Sequence, residues 1–218
     1  MSEAHASVLQ HHFETLEQQK ESSALGMWVF IAQEVLFFGG LFATYTVYRV
    51  KYHEAFAAAS HHLNVNLGAV NTAVLICSSL TMALAVRAAA RGRRKQIVAW
   101  LLLTVLLGSV FLGVKFVEYR EKWEHHLIPG PGFQAHELHL EGDAALNAQL
   151  YYSLYFAMTG LHALHMIIGI PIILGLAVFA WKGRYGPEWS TPVELTGLYW
   201  HFVDIVWIFL FPFLYLIH

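Results

Sequence analysis

The chain is short of charge, cysteine and basic excess, and each shortage removes a class of protein. Asp, Glu, Lys and Arg make up 13% of its 218 residues. Soluble domains carry about 25%, so half the usual solvating charge is missing. Thirteen Lys and Arg against 15 Asp and Glu leave a formal charge of -2, which gives no electrostatic footprint for a nucleic-acid partner. The single cysteine, Cys77, cannot close an internal disulfide, and within its apolar run it reads as a small buried hydrophobe. There is no Walker loop, no GxGxxG, no GxSxG elbow and no CxxC. No repeat is visible, and five apolar spans do not divide into the two halves of a repeat-built transporter.

What the chain has is apolar length. Hydrophobic residues make up 57% and the mean hydropathy is +0.49. Five stretches, at about 24–48, 67–86, 97–117, 151–181 and 193–217, reach the roughly 20 residues that cross a ~30 Å hydrocarbon core as helix. The expected fold is all-α, a polytopic membrane bundle of five transmembrane helices forming one domain over 23–218. Residues 1–22 are polar and acidic, without the basic start of a signal peptide, and read as a cytoplasmic segment. Arg87, Arg91, Arg93, Arg94 and Lys95 place the turn between the second and third spans in the cytoplasm. Alternation then puts the N-terminus and the Lys182, Arg184 turn on that side, and His218 outside. Arg49 and Lys51 oppose this weakly. Arg120 and Lys122 fall in a long outer loop, 120–150, among Glu118, Glu121 and Glu124, and Pro129, Gly130, Pro131 and Gly132 break it.

Ionisable groups within the spans are the candidate functional residues, because a charge in hydrocarbon costs at least about 2.5 kcal/mol and must be neutralised, paired or turned towards protein. Glu34 lies near mid-bilayer among Phe30, Ile31, Phe37, Phe38 and Leu41, and reads as a carboxyl hydrogen-bonded across a helix interface. Gly39 and Ala43 form a small-xxx-small pair that admits a second helix. Span four carries His162 and His165; span five carries Glu194, His201 and Asp204, with members of each pair three residues apart on one face. His201 opposite a span-four histidine has the chemistry of a b-type heme site. A di-metal site needs carboxylates on both helices, and span four has none. Hydrogen bonding within and between helices is the plainer reading. His125, His126, His136 and His139, with Glu137 and Glu141, and His53, His61 and His62 in the first loop, offer zinc or copper ligands. Without cysteine and on flexible segments they read as solvated. Trp28, Trp100, Trp123, Trp181 and Trp189 belong to aromatic belts at the span ends.

The run from Trp200 through His201, Phe202, Val203, Asp204, Ile205 and Val206 to Trp207 resembles the final helix of cytochrome c oxidase subunit III. The run from His162 through His165 to Gly169 is similar to that family's preceding helix. Gln33 to Phe38 matches the segment holding its buried carboxylate, Glu194 matches the acid that begins its last helix, and Asn71 with Thr72 and Glu118 with Tyr119 match further signatures. With five spans rather than seven, the chain resembles the short bacterial form. The resemblance implies a non-catalytic subunit of an oxidase of the bacterial cytoplasmic membrane. It implies no heme or copper on this chain, those groups lying in partner subunits, with subunit I as principal partner and subunit II nearby. It also implies support of proton uptake by subunit I, and bound phospholipid, with Lys182 and Arg184 as headgroup contacts. Quinol oxidases and some nitric oxide reductase accessory subunits share the fold, while the matches at Glu34 and at His201 to Asp204 lean towards the cytochrome c type. A b-type cytochrome and a small transporter are the remote alternatives.

Overall fold

The computed structural model describes residues 9–134 and 140–216. Within them six α-helices follow one another: α1 (Leu16–Lys51), α2 (His53–His61), α3 (Val65–Ala90), α4 (Arg94–Glu124), α5 (Asp143–Trp181) and α6 (Thr191–Tyr215). All but α2 are long and apolar enough to cross a membrane, so the chain is an all-helical, multi-pass membrane protein.

The helices outrun the apolar windows. The helix expected from residue 24 begins at Leu16, where the Thr15 side chain accepts a hydrogen bond from the Gln18 backbone N–H at 3.1 Å, an N-cap that holds a polar turn outside hydrocarbon. The helix expected to end at 117 continues to Glu124, so part of the expected outer loop is helical. The first loop contains α2, an alanine-rich segment whose good helix formers and packing against α5 and α6 offset its nine-residue length.

Helices α3 and α4 form a hairpin, α4 packs on α5, and α3 and α5 both pack on α6, which also meets α1 and α2. Helix α6 is therefore central, and its two buried tryptophans set the packing. A Cβ on Gly108 of α4 would lie 3.0 Å from the Trp200 ring, and one on Gly169 of α5 would lie 2.9 Å away. Both helices close on one indole only because no side chain intervenes. The Trp200 Nε1–H donates to Ser78 Oγ at 3.0 Å, and Trp207 Nε1–H to Thr72 Oγ1 at 3.0 Å. Gly39 and Ala43 also offer a small-residue face, which no helix among the described residues uses. There, nothing lies within 4 Å of a Gly39 Cβ, and both residues face outward on α1. Cys77, expected to be buried, is likewise exposed on the outer face of α3. A transmembrane helix is apolar all round, so hydropathy does not reveal which side is inward.

The turn between α3 and α4 and the turn between α5 and α6 meet at one end of the bundle, where a Cβ on Gly92 would lie 3.0 Å from Pro187. Gly92 and Gly183 take φ of 66° and 79° to make these turns. Arg87, Arg91, Arg93, Arg94 and Lys95 thus share an end with Lys182 and Arg184.

Candidate functional site

The polar groups inside the bundle form separate constellations. The most fully built one was not recognised in the sequence. Lys115 and Glu118, each 3% exposed, are one turn apart on α4 and pair at 2.9 Å. Lys115 Nζ spends its other two protons on the hydroxyls of Tyr155 and Tyr215, each at 3.0 Å. Each tyrosine in turn donates its one proton to Glu118 Oε1, Tyr155 at 2.8 Å. Three ammonium donors, two hydroxyls and both carboxylate oxygens are therefore matched, which is the condition for a charge pair to survive in a low dielectric. The ammonium also lies 5.0 to 5.7 Å from the ring centres of Tyr119, Tyr155, Trp207 and Tyr215, within cation–π range. A sequence signal existed: Lys115, Glu118 and Lys122 are spaced three and four apart, which puts all three on one helix face, and all three are buried. Lys122 Nζ donates to the His62 carbonyl at 2.6 Å, tying α4 to the end of α2.

Glu34 is 8% exposed and faces His165 of α5, with 3.4 Å between Oε2 and Nε2. That distance allows electrostatic attraction but is long for a hydrogen bond, and Oε2 has no hydrogen-bond partner. His165 Nδ1 lies 2.8 Å from the Leu161 carbonyl, and a carbonyl only accepts, so Nδ1 carries the proton. The other ring nitrogen, Nε2, is the one that faces Glu34. Tyr199 donates to the His165 carbonyl at 2.9 Å, which anchors this stretch of α5 to α6.

His162, on the same helix, is 1% exposed. Its ring packs between Phe111 and Trp207, at 5.3 and 5.1 Å between centres, and neither nitrogen has a hydrogen-bond partner. His201 of α6 points elsewhere, its Nδ1 2.7 Å from Ser79 Oγ of α3. Asp204, one turn further on, is 2% exposed, and neither carboxyl oxygen is hydrogen-bonded. Ser79, whose Oγ contacts the histidine, lies beside it. His162 and His165, expected on one face of their helix, thus have different neighbours, and His201 faces neither of them.

Glu194 was expected among the buried carboxyls and is instead exposed on the first turn of α6. It accepts a hydrogen bond from Ser190 Oγ, and its charge complements the positive end of the helix dipole. Lys182 and Arg184 are exposed at the tip of the α5–α6 turn, with the Arg184 guanidinium 5.1 Å from the Phe179 ring centre. Of the loop histidines, His53, His61, His62, His125 and His126 are exposed, whereas His136 and His139, with Glu137, lie outside the described residues. Among the described residues, no three His, Cys, Asp or Glu side chains gather into a set that could hold a metal ion.

The family model for cytochrome c oxidase subunit III matches residues 4–124 and 131–218, all five long helices and every constellation above. The chain belongs to the cytochrome c oxidase subunit III family. Its relatives within and around that family differ in electron donor. Quinol oxidase subunit 3 of Bacillus subtilis is 35% identical over 92% of this chain and 91% of its own length. Cytochrome c oxidase subunit 3 of Corynebacterium diphtheriae is 34% identical over 89% of this chain and 87% of its own. A heme-copper oxidase subunit I+III of Aeropyrum pernix is 32% identical over 91% of this chain, which covers 23% of that larger protein.

Proposed function

We propose that this chain is the non-redox subunit III of a respiratory cytochrome c oxidase in a bacterial cytoplasmic membrane. It docks on subunit I, with subunit II in the same complex, and supports assembly and proton uptake, while hemes and copper reside in the partner subunits. The complex reduces dioxygen to water and pumps protons. The observation that carries this reading is the separate engagement of the three membrane histidines: His165 faces Glu34 and the Leu161 carbonyl, His201 faces Ser79, and His162 is enclosed by aromatic rings. The Lys115 network, the Ser79–His201 contact and the Tyr199 hydrogen bond to the His165 carbonyl join helices to one another. Glu34 and His165 are assigned a structural role that tunes, rather than carries, proton movement.

The shared end of the two basic turns supports an orientation with that end in the cytoplasm. It also supports Lys182 and Arg184 as contacts to phospholipid phosphates, since both are exposed there beside Arg94. The fused subunit I+III relative supports subunit I as the principal partner. A quinol donor is the second reading, favoured by the Bacillus subtilis relative. Capture of the tagged chain in mild detergent, followed by oxygen consumption with reduced cytochrome c or with a quinol, tests both. Cytochrome c oxidation is expected. Turnover with quinol alone moves the assignment to a quinol oxidase, and failure to recover a heme-bearing subunit removes it.

A further inference from the structure

Between α1 and α6 a groove of about 640 Å³ runs along the outer surface of the bundle, walled on one side by Trp28, Phe38 and Phe42 and on the other by Phe202, Phe209 and Phe213. Gly39 also lines it and adds no side chain to fill it. From residue 28 to residue 42 the groove follows roughly 21 Å of helix at ~1.5 Å per residue, so its mean cross-section is roughly 30 Å². That is the width of one or two hydrocarbon chains. A helix with its side chains is about 10–12 Å across, roughly 80 Å² or more, and can only lie over the rim.

One polar side chain enters this apolar lining. His201 stands on the ridge of α6 between the groove and the α3 side, with its Nδ1 2.7 Å from Ser79 Oγ of α3. Its Nε2 has no hydrogen-bond partner among the described residues and, unlike both nitrogens of His162, is not enclosed by protein. His201 lies roughly 15 Å from the start of α6 and roughly 21 Å from its end, which is the depth of the bilayer midplane. Phospholipid carbonyls and headgroups stand about 15 Å from the midplane and acyl chains carry no polar atom. A phospholipid therefore fills the groove but leaves Nε2 unmet, which is costly in hydrocarbon. The occupant that matches both features has a narrow apolar tail and a flat, weakly polar headgroup that rests at the midplane, as an isoprenoid quinone does. Its ring offers a carbonyl acceptor when oxidised and a hydroxyl donor when reduced, so it meets Nε2 in either tautomer, and the aromatic walls suit its π face.

We infer that the α1/α6 groove binds an isoprenoid quinone, with its tail along the aromatic walls and a ring oxygen on His201 Nε2. The site is one of binding, and it stands whichever electron donor the complex oxidises. The test uses the tagged chain captured in mild detergent with the subunits that accompany it, placed in nanodiscs of phosphatidylcholine and phosphatidylglycerol. A short-chain azido-ubiquinone serves as photoprobe, and peptide mass spectrometry locates its adducts on this chain. Adducts are expected on the groove residues of α1 and α6, lowered by about tenfold with excess short-chain menaquinone or ubiquinone and not with excess phosphatidylglycerol. Ile205→Trp fills the groove from a position that is 51% exposed, so the bundle keeps its fold, and it is expected to abolish groove labelling. His201→Leu is expected to weaken probe binding by about three- to tenfold, the size of one hydrogen bond, and His201→Gln to keep most of it. Groove adducts that phosphatidylglycerol displaces equally well make the occupant a phospholipid and overturn the inference. Groove labelling unchanged by both Ile205→Trp and His201→Leu does so too, as do adducts found only outside the groove, on the α3 side of His201 or on another subunit.

Discussion

Replacing Lys115 by methionine keeps the length of the side chain and removes its charge, which exposes what the buried network does. The change deletes three hydrogen bonds at once, to Glu118 Oε2 and to the hydroxyls of Tyr155 and Tyr215. It leaves a carboxylate, 3% exposed, with only its Oε1 oxygen satisfied. Removing one partner of a buried ion pair costs about 3–5 kcal/mol, because the surviving charge keeps its desolvation penalty and loses its compensation. Lys115→Met with Glu118→Leu removes both charges and leaves two tyrosine hydroxyls short of a partner, at roughly 0.6 kcal/mol each within a membrane. The double variant should therefore be more stable than Lys115→Met alone, by about 2 kcal/mol or more. Unfolding in mixed detergent micelles, followed by the fluorescence of the seven tryptophans, measures all variants on one scale. Trp207 lies 5.1 Å from the Lys115 ammonium, so its emission should report loss of the network directly. Additive single and double changes, within about 0.5 kcal/mol, would refute the coupled-pair account.

Other outcomes follow from the packing and from the second carboxyl. Gly169→Ala should destabilise the bundle by about 1–3 kcal/mol through overpacking against Trp200, whereas Gly39→Ala, with open space around it, should be neutral or mildly stabilising in the same unfolding assay. Glu34→Gln keeps a hydrogen-bonding side chain beside His165 and should leave oxygen consumption and proton pumping of the assembled complex near the wild-type level; abolition of either with the complex intact would assign Glu34 a proton-carrying role. Lys182→Gln with Arg184→Gln should lower the anionic phospholipid recovered with the complex by mass spectrometry, and unchanged lipid content would remove these residues as phosphate contacts.

The sequence carried the number of long helices because hydropathy over a bilayer thickness is a strong signal, and it carried Glu34 and Asp204 as buried because charge in hydrocarbon is rare enough to be conspicuous. It did not carry sidedness. Cys77 was read as buried and lies on an outer face, and the sequence did not say that no described helix of this chain packs on Gly39, since an all-apolar helix has no polar stripe to orient it. Glu194 was read by position in a span, yet it occupies the first turn of α6, where it stays exposed and bonded to Ser190. Lys115 passed unnoticed because one cation does not interrupt a long apolar window, and its partner Glu118 was counted among the loop charges. Its spacing from Glu118 and Lys122 was legible; the tyrosines that complete the site come from α5 and α6, a convergence only the fold supplies. The pairing of Glu34 with His165 is of the same kind, since α1 and α5 are far apart in sequence.

The central claim is that this chain serves an oxidase without holding a redox centre itself, and heme stoichiometry tests it most directly. The tagged chain is purified once from the intact complex in mild detergent and once alone after the complex is dissociated, and absorption in the Soret region is measured against the amount of chain. The account predicts heme in proportion to a larger copurifying subunit in the first preparation and none on the chain in the second. A stoichiometric Soret band on the isolated chain, lost on replacing His162, His165 or His201, would contradict it and make the protein a membrane cytochrome.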